Sequence, residues 1–332
     1  MIPFPKFLTP KRLLLALLIL LVLAVPLFVT SRYIYHLLIM ACIWSMAATS
    51  MNLLMGYTGQ VNLAHGAFFG IGAYTTGLLM LKFGVNFWLA LPAACVVAAF
   101  FGFLMGLPSL RTRGSYFAIG TLCFGVIVTV IIDRWDSLTE GQRGLLGIPG
   151  PAPIPLPFGA QITFDTMAST YYLILVMLII TVFITHRIVR SLVGRTFRAV
   201  RGDEELAGSI GINPFRTKLI SFVASTFFAG LAGGLYTSYI GFLSPEISDF
   251  HVTFEILIYC MIGGIGTLAG PIIGAIILPV ISETLHALAA YRLVAYGVLL
   301  TVFIIFIPTG IVGGCKIIWQ RLTGSRLTME NR

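Results

Sequence analysis

Charge is scarce in this chain. Only 10% of its 332 residues are Asp, Glu, Lys or Arg, against about 25% in ordinary globular usage. No polar stretch is long enough to wrap a core of its own, which excludes a soluble domain. The signatures of several enzyme classes are missing too. There is no G-x-x-x-x-G-K-[ST] phosphate loop, so P-loop nucleotide hydrolysis is excluded for this chain. There is no H-E-x-x-H, no pair of mid-span aspartates, and no Ser/His pair legible within the apolar runs. The five cysteines, Cys42, Cys95, Cys123, Cys260 and Cys315, form no CxxC pair. They are read as small buried hydrophobes, with no disulfide and no metal cluster expected.

Apolar residues fill the space that charge leaves. They make up 58% of the chain and the mean hydropathy is +0.98. A spanning helix needs ~20 such residues, which leaves room for roughly eight to ten spans. The fold class expected is an all-α polytopic membrane protein. The spans read as 13–30, 33–55, 67–81, 87–107, 115–132, 171–185 and 219–240, then a long apolar region over 252–286 and a last span over 293–307. Lys6, Lys11 and Arg12 precede the first run, which is long for a signal segment and is taken as a retained span. Pro108 and the basic Arg111 to Arg113 stop the fourth. Trp135, Tyr171 and Tyr172 read as interface anchors.

The formal charge of +9 is unevenly placed. Residues 1–12, 111–113, 186–218 and 316–332 together hold 16 of the 21 Lys and Arg. Positive residues stay in cytoplasmic loops, so these four segments are assigned to the cytoplasm and both termini with them. The basic excess is not a nucleic-acid footprint. Residues 133–169 become an outer loop, with an extended, stiff Pro-rich tract at 149–157. An even number of crossings follows: eight if the Gly-rich segment near Gly263 is re-entrant, ten if it separates two crossings.

Two glycine-rich breaks interrupt the apolar pattern. The first, Gly56 to Gly66, reads GYTGQVNLAHG. Irregular polar backbone at membrane depth is tolerated only where protein buries it or it lines a watery cavity. Gly59, Gln60, Asn62, His65 and Gly66 are therefore candidate gate or pathway residues, with Gln60, Asn62 and His65 placed to hold freed backbone groups. The second break, Gly263 to Pro271, reads GGIGTLAGP and contributes Gly263, Gly264 and Gly266. The two echo one another, each following an apolar run and preceding a G-x-x-x-G helix, as paired broken helices do in transporters built from repeats. Glu255 and Glu283 are the acids nearest the membrane interior. Both are read as solvated or ion-paired near outer span ends, Glu283 with Arg292.

The most polar segment is His186 to Lys218. Evenly spaced arginines lead to a turn at Gly202 and a short helix with Asp203, Glu204 and Glu205 in its first turn, where acids suit the helix dipole. Gly211 and Pro214 end it. Charged ends around small residues suit docking into a partner's groove.

Within that segment, RAVRGDEELAGSIGIN at 198–213 resembles the cytoplasmic coupling motif of ATP-binding-cassette importer permeases, an E-A-A pattern followed by Gly. Glu205, Ala207 and Gly211 fit, with Leu206 where the first Ala is common. Together with Gly56 to Tyr74, Gly144 to Pro149 and Gly263 to Pro271, the pattern resembles the branched-chain amino acid permeases over nearly the whole chain, in their LivM-type form. That resemblance implies a non-enzymatic transport subunit without cofactor. It implies a homologous second permease, two ATPase subunits and a periplasmic binding protein as partners, in a bacterial inner membrane. Arg201, Asp203, Glu204, Glu205, Ala207, Gly211 and Asn213 become the expected ATPase-coupling residues. Leucine, isoleucine or valine is the expected cargo, with urea, short amides or nucleosides as alternatives and an ion-coupled carrier or channel as the less favoured class.

Overall fold

The computed structural model describes residues 31–155 and 161–284, with 297, 301 and 310–314. The expected span over 13–30, almost all of 293–307, both terminal tails and the Arg292 pairing lie outside the described residues.

Helix α1, Arg32–Thr58, has 27 residues and is about 40 Å long at 1.5 Å per residue, more than the ~30 Å apolar core of a bilayer. Gly59, in the left-handed conformation (φ 75°), ends it. Helix α2, His65–Leu81, is followed by α3, Phe87–Ser109, whose start is capped by the Asn86 side chain accepting from Trp88 N at 3.2 Å. Pro108 sits inside α3 rather than stopping it, and the turn comes at Leu110. Lacking an N–H, Pro108 costs α3 one i→i−4 hydrogen bond, and the helix ends one residue later. Helix α4 is Ser115–Arg134 and the four-residue α5 is Asp136–Thr139.

The connection to α6, Met167–Arg190, carries two small antiparallel pairings. Strand β1, Leu145–Leu146, pairs with β4, Phe242–Leu243, and β2, Ile154–Pro155, pairs with β3, Gln161–Ile162. The capping box of Thr166 and Ser169 starts α6. Then come α7, Leu192–Gly202, and α8, Glu204–Ser209. Helix α9, Pro214–Ile240, opens with Pro214 in its first turn and the Asn213 cap, whose side chain accepts from Arg216 N at 3.0 Å. A 3₁₀ turn at Pro245–Ser248 leads to α10, Phe250–Gly263, and α11, Gly270–Thr284.

Five of these helices, α1, α3, α4, α6 and α9, are long and apolar enough to cross a membrane, and the chain is an all-α membrane protein. Helix α1 is at the centre and packs against α9, α6 and α11. Glycine sets the closest approaches. A Cβ on Gly233 would stand 2.0 Å from Phe69 O, and one on Gly72 2.3 Å from Gly230 O. Lipid supplies no hydrophobic drive between helices, so small residues and hydroxyls do the joining. Ser225 Oγ donates to Ser50 O at 2.7 Å, Ser221 Oγ to Leu53 O at 3.1 Å, and Thr237 Oγ1 to Ala73 O at 3.0 Å.

Two expectations fail on this packing. Tyr171 is buried against the edge of Tyr35 rather than placed as an interface anchor, whereas Trp135 is half exposed. Cys123 is exposed, because α4 buries only Phe117, Thr121, Val128 and Ile132. Cys42, Cys95 and Cys260 are buried, free thiols.

Candidate functional site

The first break is shorter than its sequence. Gly56, Tyr57 and Thr58 remain helical, and the non-helical stretch runs from Gly59 to Ala64. Several of its polar groups are paired within the bundle, while Asn62 Nδ2 and His65 Nδ1 are not. Asn62 Oδ1 accepts from Ala64 N at 2.9 Å, and Leu63 N donates to Thr121 Oγ1 at 3.0 Å. Gly66 N donates to Thr253 Oγ1 at 2.8 Å. Asn62 thus holds a freed backbone group, as expected. Gln60 and His65 do not. Gln60 Nε2 reaches 3.5 Å towards Glu204 Oε1, and His65 Nε2 lies 2.8 Å from Ser50 Oγ. Ser50 and His65 are a buried Ser/His pair that the linear sequence hides. Ser50 Oγ donates to Ala47 O at 2.6 Å and His65 Nδ1 has no partner, so no acid orients the ring and the pair lacks the third member of a nucleophilic triad.

The second break runs from Gly264 to Ala269, between α10 and α11. Gly263 and Gly274 let the two helices touch. A Cβ on the first would meet Gly270 O at 1.8 Å, and on the second Tyr259 O at 2.0 Å. With 14 and 15 residues, each helix is about 21 Å long or slightly more.

The end of α1, just before the first break, meets the second break. Asn52, on α1, accepts from Gly266 N at 2.8 Å and donates to Thr267 O at 2.8 Å. Its amide pairs with the second break as a neighbouring strand would. Arg201 Nη1 donates to Gly56 O. A Cβ on Gly266 would lie 2.7 Å from that same Nη1, and one on Gly59 3.2 Å from Arg201 Cγ. The sequence reading missed Asn52. A lone amide in an otherwise apolar helical run was the signal available.

The segment after α6 is built around the same point. Asp203 caps α8, accepting from Glu205 N at 2.8 Å and Leu206 N at 3.0 Å. Glu204 forms an ion pair with Lys218 and stands 3.8 Å from Arg113. Glu205, with an 80% exposed side chain, pairs with Arg113 at 3.1 Å. Ala207 is buried, and its carbonyl accepts from Ile212 N, which folds α8 back onto the start of α9. Gly211 (φ 87°) makes the turn. Leu206 and Ile210 are 65% and 69% exposed. The short helix therefore presents apolar side chains outwards and uses its small residue inwards.

At the other end of the bundle the loop after α9 does not stay on the surface. Leu243 reaches Gly77, Ser248 packs on Gly70, and Asp249 O comes within 2.7 Å of a Cβ on Gly66. The segment descends along α2, and α10 begins beside Gly66. A cavity of about 570 Å³ opens there, lined by Trp44, Tyr236, Glu246, Asp249, Glu255 and Tyr259 among others. Glu255, in the second turn of α10, is thus brought to the cavity wall.

Residues 33–308 match the family model for the permease component of branched-chain amino acid transport systems. The high-affinity branched-chain amino acid permease LivM of Escherichia coli K12 is 34% identical over 93% of this chain and 78% of its own length. LivM of Salmonella typhimurium is 33% identical with the same coverage. LivH of Salmonella typhimurium is 26% identical over 81% of this chain and 91% of its own. No solved structure matches. The chain, a broken-helix bundle with a basic segment tied to its breaks, belongs to the permease component family of branched-chain amino acid transport systems.

Proposed function

We propose that the chain is one of two homologous permeases of an ATP-binding-cassette importer for leucine, isoleucine or valine. Its two permeases form the pathway, two ATPase subunits drive it, and a periplasmic binding protein delivers the solute. The chain crosses a bacterial inner membrane ten times, with α10 and α11 as separate short crossings, and keeps its termini and α7–α8 in the cytoplasm as a single permease domain. The distribution of Lys and Arg supports that orientation.

The observation that carries this reading is the joining of α7–α8 to the glycine breaks through Arg201 and Glu204. A permease driven from outside itself needs a rigid element that docks a motor and also touches the gate. Leu206 and Ile210 supply the docking face. Asp203, Asn213 and Gly211 shape it, and Ala207 anchors it. Gly59, Gln60, Asn62, His65, Gly66, Gly263, Gly264 and Gly266 form the gate. The cavity beside Trp44 and Asp249 receives solute from the binding protein: its aromatic walls suit an apolar side chain and its carboxylates suit an ammonium group.

The test is reconstitution of the chain with its homologous permease, the ATPases and the binding protein in proteoliposomes. Labelled leucine uptake should require ATP and every component. Uptake at full rate without the ATPases would refute the importer reading, and uptake of urea or a nucleoside in place of leucine would refute the cargo.

A further inference from the structure

The amide of Asn52 and the guanidinium of Arg201 bracket both breaks at one place. Asn52 bonds the second break at Gly266 N and Thr267 O. Its own helix carries Gly56, four residues on, whose carbonyl receives Arg201. A Cβ on Gly56 would meet Gly266 N at 2.7 Å, so the two backbones touch where the side chains clamp them. Asn52 rides on α1, so moving the end of α1 strands Gly266 N and Thr267 O, and moving the second break strands the Asn52 amide. In the first case Gly56 O loses Arg201. In a low-dielectric interior an unmade bond is expensive.

We propose that Asn52 and Arg201 are positioning residues that lock the two glycine breaks into one unit, so that the breaks open together and never singly. The inference deepens the transport reading above and rests on it for its purpose, but the linkage itself is a property of this chain alone. One contact from the basic segment then reaches both breaks. A half-open gate, with one break displaced and the other seated, is disfavoured by the bonds it would strand.

Thiol labelling tests it. In a background freed of native cysteines, Val61→Cys reports the first break and Ala269→Cys the second, both positions being exposed at least in part. The chain is purified in detergent and labelled without ATPases or nucleotide. Arg201 hydrogen-bonds only the end of α1 that leads into the first break, at Gly56 O, yet Arg201→Ala should raise labelling at Ala269→Cys. Asn52 bonds only the second, yet Asn52→Leu should raise labelling at Val61→Cys. Each cross-effect should be roughly fivefold to tenfold, the change expected when one hydrogen bond is lost. Arg201→Lys, which keeps an N–H for Gly56 O, should restore most of the protection. Thr237→Val removes a buried hydrogen bond elsewhere, at Ala73 O, and should leave both rates unchanged. If each variant loosens only the break it bonds, or if Thr237→Val raises both rates equally, the linkage is refuted. Repeating the labelling in the full complex with an ATP analogue separates the two ideas. Nucleotide-insensitive labelling in the unmutated complex, with the cross-effects intact, overturns ATP coupling and leaves the linkage standing.

Discussion

Removing Glu204 should hurt the fold more than removing its partner, and the reason is burial. The Lys218 side chain is 3% exposed and the Glu204 side chain 23%. In Glu204→Ala the ammonium of Lys218 keeps its buried position and loses the carboxylate that pairs with it. Breaking a fully buried pair this way costs about 3–5 kcal/mol, and the partial exposure of Glu204 lowers the figure to about 2–3 kcal/mol. In Lys218→Met the apolar stem is conserved, and Glu204 still has Arg113 at 3.8 Å and access to water. That change should cost about 1 kcal/mol. In the double variant the stranded charge is gone, so it should be no less stable than Glu204→Ala alone. The assay is SDS or thermal unfolding of the purified chain in detergent, run as a double-mutant cycle at low and high salt. The Arg113–Glu205 pair, with side chains 69% and 80% exposed, should weaken with salt, while the Lys218–Glu204 coupling should not. The reasoning is refuted if Lys218→Met costs as much as Glu204→Ala, or if the two costs simply add.

Two further outcomes follow from the same geometry. Gly233→Ala places a methyl 2.0 Å from Phe69 O, so α2 and α9 must separate. Overpacking of this kind should destabilise by about 1–3 kcal/mol, read as a lower unfolding midpoint, and a neutral result would contradict the close approach. Leu206→Asp with Ile210→Asp alters two exposed side chains and should change stability by less than about 0.5 kcal/mol. Co-purification of the ATPases should nevertheless be lost, and retained co-purification would remove α8 as the docking face.

Much of the bundle was legible because its signals are local. Runs of apolar residues bounded by Lys, Arg, Asn or Gly gave α1, α2, α3 and α4 to within three residues at each end, and α6 and α9 to within five, because their polar end turns read as loop. A break was legible from the glycines and amides of 56–66, although α1 persists to Thr58 before left-handed Gly59 ends it. The arrangement between elements was not. Asn52 is one amide in an apolar helix, and its use depends on a backbone more than 200 residues away. The descent of Ser248 and Asp249 along α2 depends on Gly66 and Gly70 offering a cleft, which an acidic loop in linear sequence disguises as surface. The Ser50 and His65 contact needs the break to turn α2 back beside α1. In each case the residue types were visible and the partner was not, because the pairing is set by helix packing rather than by spacing along the chain.

The same long-range packing decides which way the site faces. Trp44, on the cavity wall, and Gly56, where Arg201 binds, are on one straight helix and about 18 Å apart at 1.5 Å per residue. Between them α1 is closed over by fully buried groups. Trp44 stacks on Phe69 with centroids 5.4 Å apart, and Ser50, Asn62 and His65 have essentially no solvent exposure. A solute in the acid-lined cavity is thus separated from the basic end by an aromatic floor and then by the breaks. On the proposed orientation the cavity lies on the outer side of this buried layer and α7–α8 on the cytoplasmic side. Helices α7 and α8 reach the lower edge of this layer, Arg201 at Gly56 O and Glu204 at Gln60, rather than the cavity walls. Gln60, Asn62 and His65 are packed inside the bundle between the cavity and the end of α1.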